Sequence, residues 1–420
     1  MNCRVVLLLR DRVRPNEVRI QKFLGHFPMN FLDFMSGVTQ SVWQMLSRLA
    51  RVAVAFLLLT AAVQRPQGER IIAVGDVHGN LDGFTSILQS AGLIDQQRQW
   101  TGGKATLVQL GDLVDRGPKS RAVLDFIMTL QNEAPRKGGT VLVSLGNHEV
   151  MNIIGDMRYV VPADYESFLD NRSEQRRAAA FRDYSSLETR KGRVADQVAW
   201  MNAHPLGFVE HREAYGPQGK YGKWLRGVPT INKVEDSIFL HGGINPALNF
   251  KNIEQFNSGV KNEMQIFDKI TRYMIDRGLA LPFFTLDEFA QAASEELSRT
   301  NAIKPEDQTP ESRAHAQILE GLVQLPNWLS IHDAGPLWFR GYDRWSDADG
   351  EPQLARLIQS LGIKRIVVAH TPQPNGEIRQ RFGGKVFLID TALVTGRASA
   401  LEIQRDRIRA IYLNRQTELN

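Results

Sequence analysis

Apolar residues in this chain fall into short unbroken runs separated by stretches with helical spacing. RIIAV (70–74), ATLVQL (105–110), TVLVSL (140–145), SIFL (237–240) and KRIVV (364–368) are β-branched and continuous, the pattern of strands buried on both faces. Helical spacing near 82–91 and 119–132 separates the first three, so 68–150 reads as a βαβαβ unit with parallel strands and right-handed crossovers. The stretch 152–235 is charged, aromatic and mostly helical, and it returns toward strand at Val228–Val234. A second helical stretch runs from about 252 to 322, with a break expected at Asn301–Pro310. Strands resume at 363–369, 385–390, 400–404 and 407–413. The pattern predicts an α/β fold: one catalytic domain over 68–413, with helical inserts at about 152–235 and 252–322 forming a cap.

Five polar motifs follow strand ends: GDVHG (75–79), GDLVDRG (111–117), GNHE (146–149), HGG (241–243) and AHT (369–371). Loops just past strand ends are the usual place for ligand-binding residues in an α/β sheet. The motifs supply carboxylate, amide and imidazole groups, the donors that hard and borderline cations favour. Asp76 and His78, one residue apart, can converge on one metal ion. Asp112 is the natural bridge, because its two oxygens can serve two cations and offset their repulsion. Asn147, His241 and His370 can complete a second site. Two cations held about 3.5–4 Å apart polarise a phosphate and activate water. The donor set suits Mn²⁺, Fe or Zn²⁺. His204, His211, His315 and His332 belong to no motif and are expected to be structural or surface residues.

Charge changes the picture little. The 420 residues carry a formal net charge of +5, with 51 Lys/Arg and 46 Asp/Glu. Eight of those basic residues and three of the acids lie in 1–62, which leaves 43 of each in 63–420. The basicity belongs to the leader, so no nucleic-acid partner is expected. The one cysteine, Cys3, also lies there, which excludes an intrachain disulfide and a thiolate metal site.

Residues 45–62 read MLSRLARVAVAFLLLTAA. Two arginines precede a short apolar run that closes on small residues, the pattern of a secretory signal peptide cleaved after Ala62. The run 52–63 is short for a membrane span, which needs about 20 residues. The expectation is an exported protein, periplasmic or extracellular, with no stable membrane span in its mature form. An anchor formed by 52–63, or a cytoplasmic chain, is the alternative. The 44 residues upstream are long for a charged leader region, so translation is expected to start at Met35 or Met45.

With all five motifs laid out, the chain resembles the calcineurin-type metallophosphoesterases, specifically the phosphoprotein phosphatase branch, whose signature GDxHG…GDxVDRG…GNHE is present intact. The pieces GPLWFRG (335–341), VVAHTPQ (367–373) and LIDTALVTG (388–396) resemble the Shewanella-like phosphatase group. The resemblance is close over 68–150 and 236–245 and looser over 335–403. It implies a β-sandwich core flanked by helices, two divalent metal ions, and hydrolysis of phosphate monoesters by a metal-bridging hydroxide attacking in line. Carried over, Asp76, His78 and Asp112 bind the first metal, and Asp112, Asn147, His241 and His370 the second. Arg116 and Arg340 hold phosphate oxygens with Asn147, and His148 is the general acid, oriented by Asp115. Asp390 is either a residue that orients a ligand or part of a structural turn.

The chain departs from related branches. AHTP lacks the second histidine of the GHxH motif found in many metallophosphoesterases. Asp115 and Glu149 also set it apart from bis-nucleoside tetraphosphate hydrolases. The resemblance therefore points to a phosphoprotein or phosphopeptide substrate, with phosphotyrosine favoured, or to a small phosphate ester. A nucleotide or dinucleotide polyphosphate hydrolase is the second reading, and a non-catalytic metal-binding module the third.

Overall fold

The computed structural model describes residues 70–248 and 250–419; the leader, with its expected signal peptide and start sites, lies outside the described residues. Strand β1 (Ile71–Val74) leads through α1 (Leu81–Ser90) to β2 (Thr106–Gln109), then through α2 (Ser120–Glu133) to β3 (Thr140–Val143) and α3 (Asn147–Ile154). The first insert contains α4 (Pro162–Glu166), α5 (Ser173–Arg190), α6 (Gln197–Ala203), α7 (Phe208–Tyr215) and α8 (Lys220–Leu225). The hairpin β4 (Ile231–Val234) and β5 (Ser237–Leu240) precedes the second insert of α9 (Ile253–Asp276), α10 (Leu286–Asn301) and α11 (Pro310–Val323). The chain closes with α12 (Gly341–Arg344), α13 (Asp347–Leu361), β6 (Arg365–Val368), β7 (Arg379–Arg381), β8 (Val386–Leu388), β9 (Ser399–Gln404), β10 (Arg407–Tyr412) and β11 (Gln416–Leu419).

Two mixed sheets result, ordered β11-β10-β9-β1-β2-β3 and β4-β5-β6-β8-β7. The parallel pairs β1–β2 and β2–β3 form the expected βαβαβ unit, and β5, β6 and β8 run parallel in the second sheet. Side-chain alternation explains why the strands read as continuous apolar runs. Ile71 and Ala73 point into the core between the sheets, with Val108, Phe239, Val367, Phe387 and Leu401. Ile72 and Val74 of the same strand pack outward against α1 and α2 through Phe84, Ile87, Leu124 and Ile127. Ile238, Leu240, Ile366 and Val368 form the outer face of the second sheet, covered by Leu354 of α13. The fold is the expected α/β sandwich flanked by helices.

The break between α10 and α11 falls where proline and an N-cap predict it: the Thr309 side chain accepts from Ser312 N–H, and Pro310 opens the helix. Thr285 and Glu288 form a capping box at the start of α10. Strands β7 and β11 and helices α12 and α13 were not expected from the sequence. RQR and QTEL carry almost no apolar signal, and Gly350 and Pro352 disguise the first turns of α13.

Candidate metal centre

Parallel strands of the two sheets end on the same side, and the five motif loops meet there. The loop after β1 carries Asp76 and His78, the loop after β2 carries Asp112, Asp115 and Arg116, and α3 begins with Asn147 and His148. His241 follows β5 and His370 follows β6. Asp76, His78, Asp112, Asp115, Asn147, His148, His241 and His370 are all buried. Two groups of ligand atoms share Asp112: His78, Asp112 and His148 in one, and Asp112, His241 and His370 in the other.

In the second group, His241 Nε2 lies 2.9 Å from Asn147 Oδ1, 3.0 Å from His370 Nδ1 and 3.3 Å from Asp112 Oδ2. In the first, His78 Nε2 lies 3.5 Å from Asp76 Oδ2 and 3.6 Å from Asp112 Oδ2. Both histidines are oriented from behind. His78 Nδ1 is 2.9 Å from the Val114 carbonyl, and His241 Nδ1 is 2.8 Å from that of Leu110. Donation to those carbonyls fixes the Nδ1 proton, so Nε2, which faces the cluster, is the nitrogen that can bind a metal once its own proton is displaced.

The electrostatics fit cations. Burial opposes charge on Asp76 and Asp112, yet His241 and its neighbouring imidazoles hold both carboxyls below the usual range, Asp112 well below. Burial likewise opposes charge on His78 and His241, but Asp76 and Asp112 pull both up to about 9. Burial, His241 and Arg340 push His370 far down. Clustered carboxylates that hold protons on His78 and His241 would exchange those protons for divalent cations. His148 Nε2 and His370 Nε2 are buried without a hydrogen-bond partner and so are free to meet a ligand. The donor set therefore fits a two-metal site.

Around this cluster, Asp115 Oδ2 lies 2.7 Å from His148 Nδ1, and Asp115 Oδ1 accepts from Asn152 Nδ2 at 2.9 Å. His148 Nε2 is 3.8 Å from Asp112 Oδ2. Arg116 is exposed at the mouth, with Nη1 2.7 Å from His78 Nε2 and its guanidinium 5.3 Å from the Tyr159 ring centre. Arg340 lies beside His370, donating from Nη1 to His370 O at 2.9 Å and Thr371 Oγ1 at 3.1 Å. All ten site residues expected from the sequence are thus brought to one place.

Three contributors were not anticipated in these roles. Glu149 accepts from the backbone N–H groups of Gly146, Asp112 and Leu113, each at 2.8 Å, and so ties the second motif loop to the third. Its place at the third position of α3, from which the side chain reaches back to the N-cap backbone N–H, is half of a capping box and is visible in GNHE; Gly146 has no side chain to supply the other half. Asn152, one turn after His148, also donates to His148 O at 2.9 Å; only the i, i+4 spacing hinted at it. Tyr159 places its ring 4.9 Å from that of His148, and no local pattern marks it. Asp390 accepts from Ala392 N–H, and burial together with Asp76 raises its carboxyl well above the usual range, so a proton can be shared between the two acids.

The calcineurin-like phosphoesterase family profile matches residues 69–374. Shewanella-like protein phosphatase 2 of Arabidopsis thaliana is 34% identical over 197 residues, which is 44% of this chain and 49% of that protein. Shewanella-like protein phosphatase 1 of Plasmodium berghei is 26% identical over 327 residues, 77% of this chain and 67% of that protein. The solved structure of a cold-active protein-tyrosine phosphatase from a psychrophilic Shewanella species superposes with a TM-score of 0.53. That match covers 84% of this chain and 81% of the other at 23% identity, a likeness of fold.

Proposed function

The chain belongs to the calcineurin-like phosphoesterase family, and from that premise we propose that it is a phosphoprotein phosphatase that prefers phosphotyrosine. The observation that carries this reading is the buried His148–Asp115 pair set against the shared carboxylate Asp112. Cations bound by Asp76, His78, Asp112, Asn147, His241 and His370 would polarise the phosphate and make water nucleophilic. The remaining chemistry belongs to side chains. Arg116 stands beside His78 and Arg340 beside His370, and guanidinium forks match phosphate oxygens. Asp115 fixes the His148 ring through Nδ1, leaving Nε2 to deliver a proton to the departing oxygen.

The preference for an aryl ester rests on the rings at the mouth. Tyr159 is 39% exposed beside His148, and the ring of half-buried Trp338 is centred 5.8 Å from that of His370. Two aromatic faces flanking the phosphate site suit the phenyl ring of phosphotyrosine. The names of the Shewanella-like relatives agree with a protein substrate. Mn²⁺, Fe or Zn²⁺ would serve as the metals. We further propose export directed by residues 45–62, on the arginine–apolar–small pattern there. Among the described residues, no helix is long and apolar enough to cross a membrane.

The test is phosphate release by the metal-loaded protein from phosphotyrosine, phosphoserine and phosphothreonine peptides and from a diadenosine polyphosphate, with His148→Ala alongside. Turnover of the phosphotyrosine peptide, lost in the variant, is the expected result. Turnover of the dinucleotide alone would refute the protein-phosphatase reading.

A further inference from the structure

A cavity of about 1030 Å³ lies between the two helical inserts and contains none of the metal-site residues. Its apolar walls include Ile153 of α3, Phe267 and Ile275 of α9, and Phe289 of α10. Protein interiors pack with few voids, and a space of this size matches pockets for organic ligands.

One lining residue is out of place for a simple packing gap. Arg212 of α7 is 5% exposed and makes no ion pair among the described residues. Its Nη1 donates to the Asn152 carbonyl at 2.7 Å, but its Nε is buried with no hydrogen-bond partner. The C terminus of α3 offers only a fractional negative charge. Burial lowers the guanidinium to about 10, helped by Arg226 and opposed by Tyr165 and by Glu288, which makes no ion pair with it. Arg226, also lining the cavity, is already paired with Asp268 at 2.7 Å. A buried cation with no carboxylate in contact is costly, so a negative group on a ligand would find an unmatched partner there. Lys269, the other lining cation without an ion pair among the described residues, is exposed to solvent, and a lone buried cation suits a monoanion better than a phosphate dianion.

The same arginine touches the catalytic machinery. The residue whose carbonyl it holds, Asn152, donates to Asp115 Oδ1 and to the His148 carbonyl. Its neighbour Ile153 forms part of the cavity wall.

We propose that this cavity is a regulatory site for an apolar carboxylate, whose head reaches Arg212 and whose body fills the apolar walls, and that occupancy is relayed through Asn152 to the His148–Asp115 pair. Asn152 is a positioning residue in this scheme. The binding half stands independently of the phosphatase reading; only the relay rests on it.

Decanoate titrated calorimetrically into the full-length, metal-loaded chain tests the binding half, with decylammonium as the same tail bearing the opposite charge. Saturable binding of one decanoate per chain is expected, with none for decylammonium. Arg212→Gln should weaken it at least tenfold. Ile275→Trp, which fills the wall without touching Arg212, should block it as well and covers a failure of the first variant to fold. No binding, binding unchanged by both variants, or equal binding of decylammonium overturns the site. For the relay, saturating decanoate should change p-nitrophenyl phosphate turnover in the wild type. Asn152→Ala should bind decanoate normally while its remaining turnover no longer responds. Binding without any change in wild-type turnover, or an undiminished response in Asn152→Ala, overturns the relay.

Discussion

If Asp115 acts only by holding His148, then removing its charge matters only while His148 is present. Asp115 accepts on both oxygens, from Asn152 Nδ2 at 2.9 Å and from His148 Nδ1 at 2.7 Å. In Asp115→Asn one oxygen becomes an NH₂ group. That group must face either the Asn152 amide or the imidazole N–H, so one donor meets another. The loss is at least one charge-assisted hydrogen bond, worth about 1.5–3 kcal/mol. Expressed in the transition state, this lowers kcat by roughly 10- to 150-fold. His148→Ala removes the acid and should lower kcat by roughly 10²–10⁴-fold. The double variant should then match His148→Ala alone, because the carboxylate has lost the ring it orients. The assay is steady-state turnover of an alkyl and an aryl phosphate monoester by all four proteins, with metal content measured on each. The alkyl ester, whose poorer leaving group needs the proton more, should lose more. Additive losses in the double variant would refute the argument, as would equal losses on both esters. Metal loss in His148→Ala would make that imidazole a ligand, in keeping with its place in the His78–Asp112 group.

Asp112→Asn should abolish both turnover and metal retention after dialysis, because Asp112 belongs to both ligand groups; retention of either metal would contradict the bridging role. Gly111 has φ +85°, and a Cβ there would come 2.3 Å from Gly146 N. Gly111→Ala should therefore destabilise the fold by about 1–3 kcal/mol and weaken metal binding, read by urea titration and metal analysis; unchanged stability would show that the two motif loops need not touch. His211 is held down to about 3 by burial and by Arg212, against 6.5 for a free imidazole. Below pH 6.5 the unfolded chain gains a proton that the folded chain refuses, so stability falls by about 1.4 kcal/mol per pH unit until pH 3. At pH 5 this amounts to about 2 kcal/mol relative to pH 8, and His211→Phe, set among Tyr165, Phe168 and Tyr215, should remove that slope in urea titrations. An unchanged slope would place the acid sensitivity elsewhere.

What was legible in the chain was local. Ile71 to Val74 are apolar at every position because both faces of β1 are covered, so strand and burial read off together. Asp76, Asp112, Asn147, His241 and His370 each stand just past such a run; parallel pairing brings the first three together at the end of one sheet and the two histidines at the end of the other, and the packing of the two sheets joins them. Arg212 is different. It lies 60 residues from Asn152 in a stretch of ordinary charged helix, and only packing against distant parts of the chain, α3 among them, makes it a buried cation. Tyr159 is likewise an unremarkable loop tyrosine until its ring is found beside His148. The short edge strands β7 and β11 escaped notice because their pairing partners, not their own residues, hold them in place.

The metal loops also carry a conformational burden that explains their rigid support. His78, Asp112, Asp115, Arg116 and His370 all have positive φ, from 47° to 68°, without being glycine. Each such residue costs about 1–2 kcal/mol relative to an ordinary backbone conformation. Five in one site persist only because the surroundings fix them. Val77 and His78 N–H both donate to the Asp112 carbonyl at 2.9 Å, and Ala369 N–H donates to the His241 carbonyl at 2.8 Å. His148 N–H and His370 N–H donate to the ligand carboxylates Asp112 and Asp76 at 3.1 and 3.0 Å. Glu149 adds its three bonds across two loops. The ligand carboxylates thus hold the backbone that holds the other ligands. One oxygen of each carboxylate is engaged in this way, which leaves the second, Oδ2, facing the imidazoles: that of Asp76 lies 3.5 Å from His78 Nε2, and that of Asp112 lies 3.3 Å from His241 Nε2 and 3.6 Å from His78 Nε2. A site tied together like this stays shaped for two cations before they arrive, and the strain stored in its turns is balanced by the same hydrogen bonds that aim its donors.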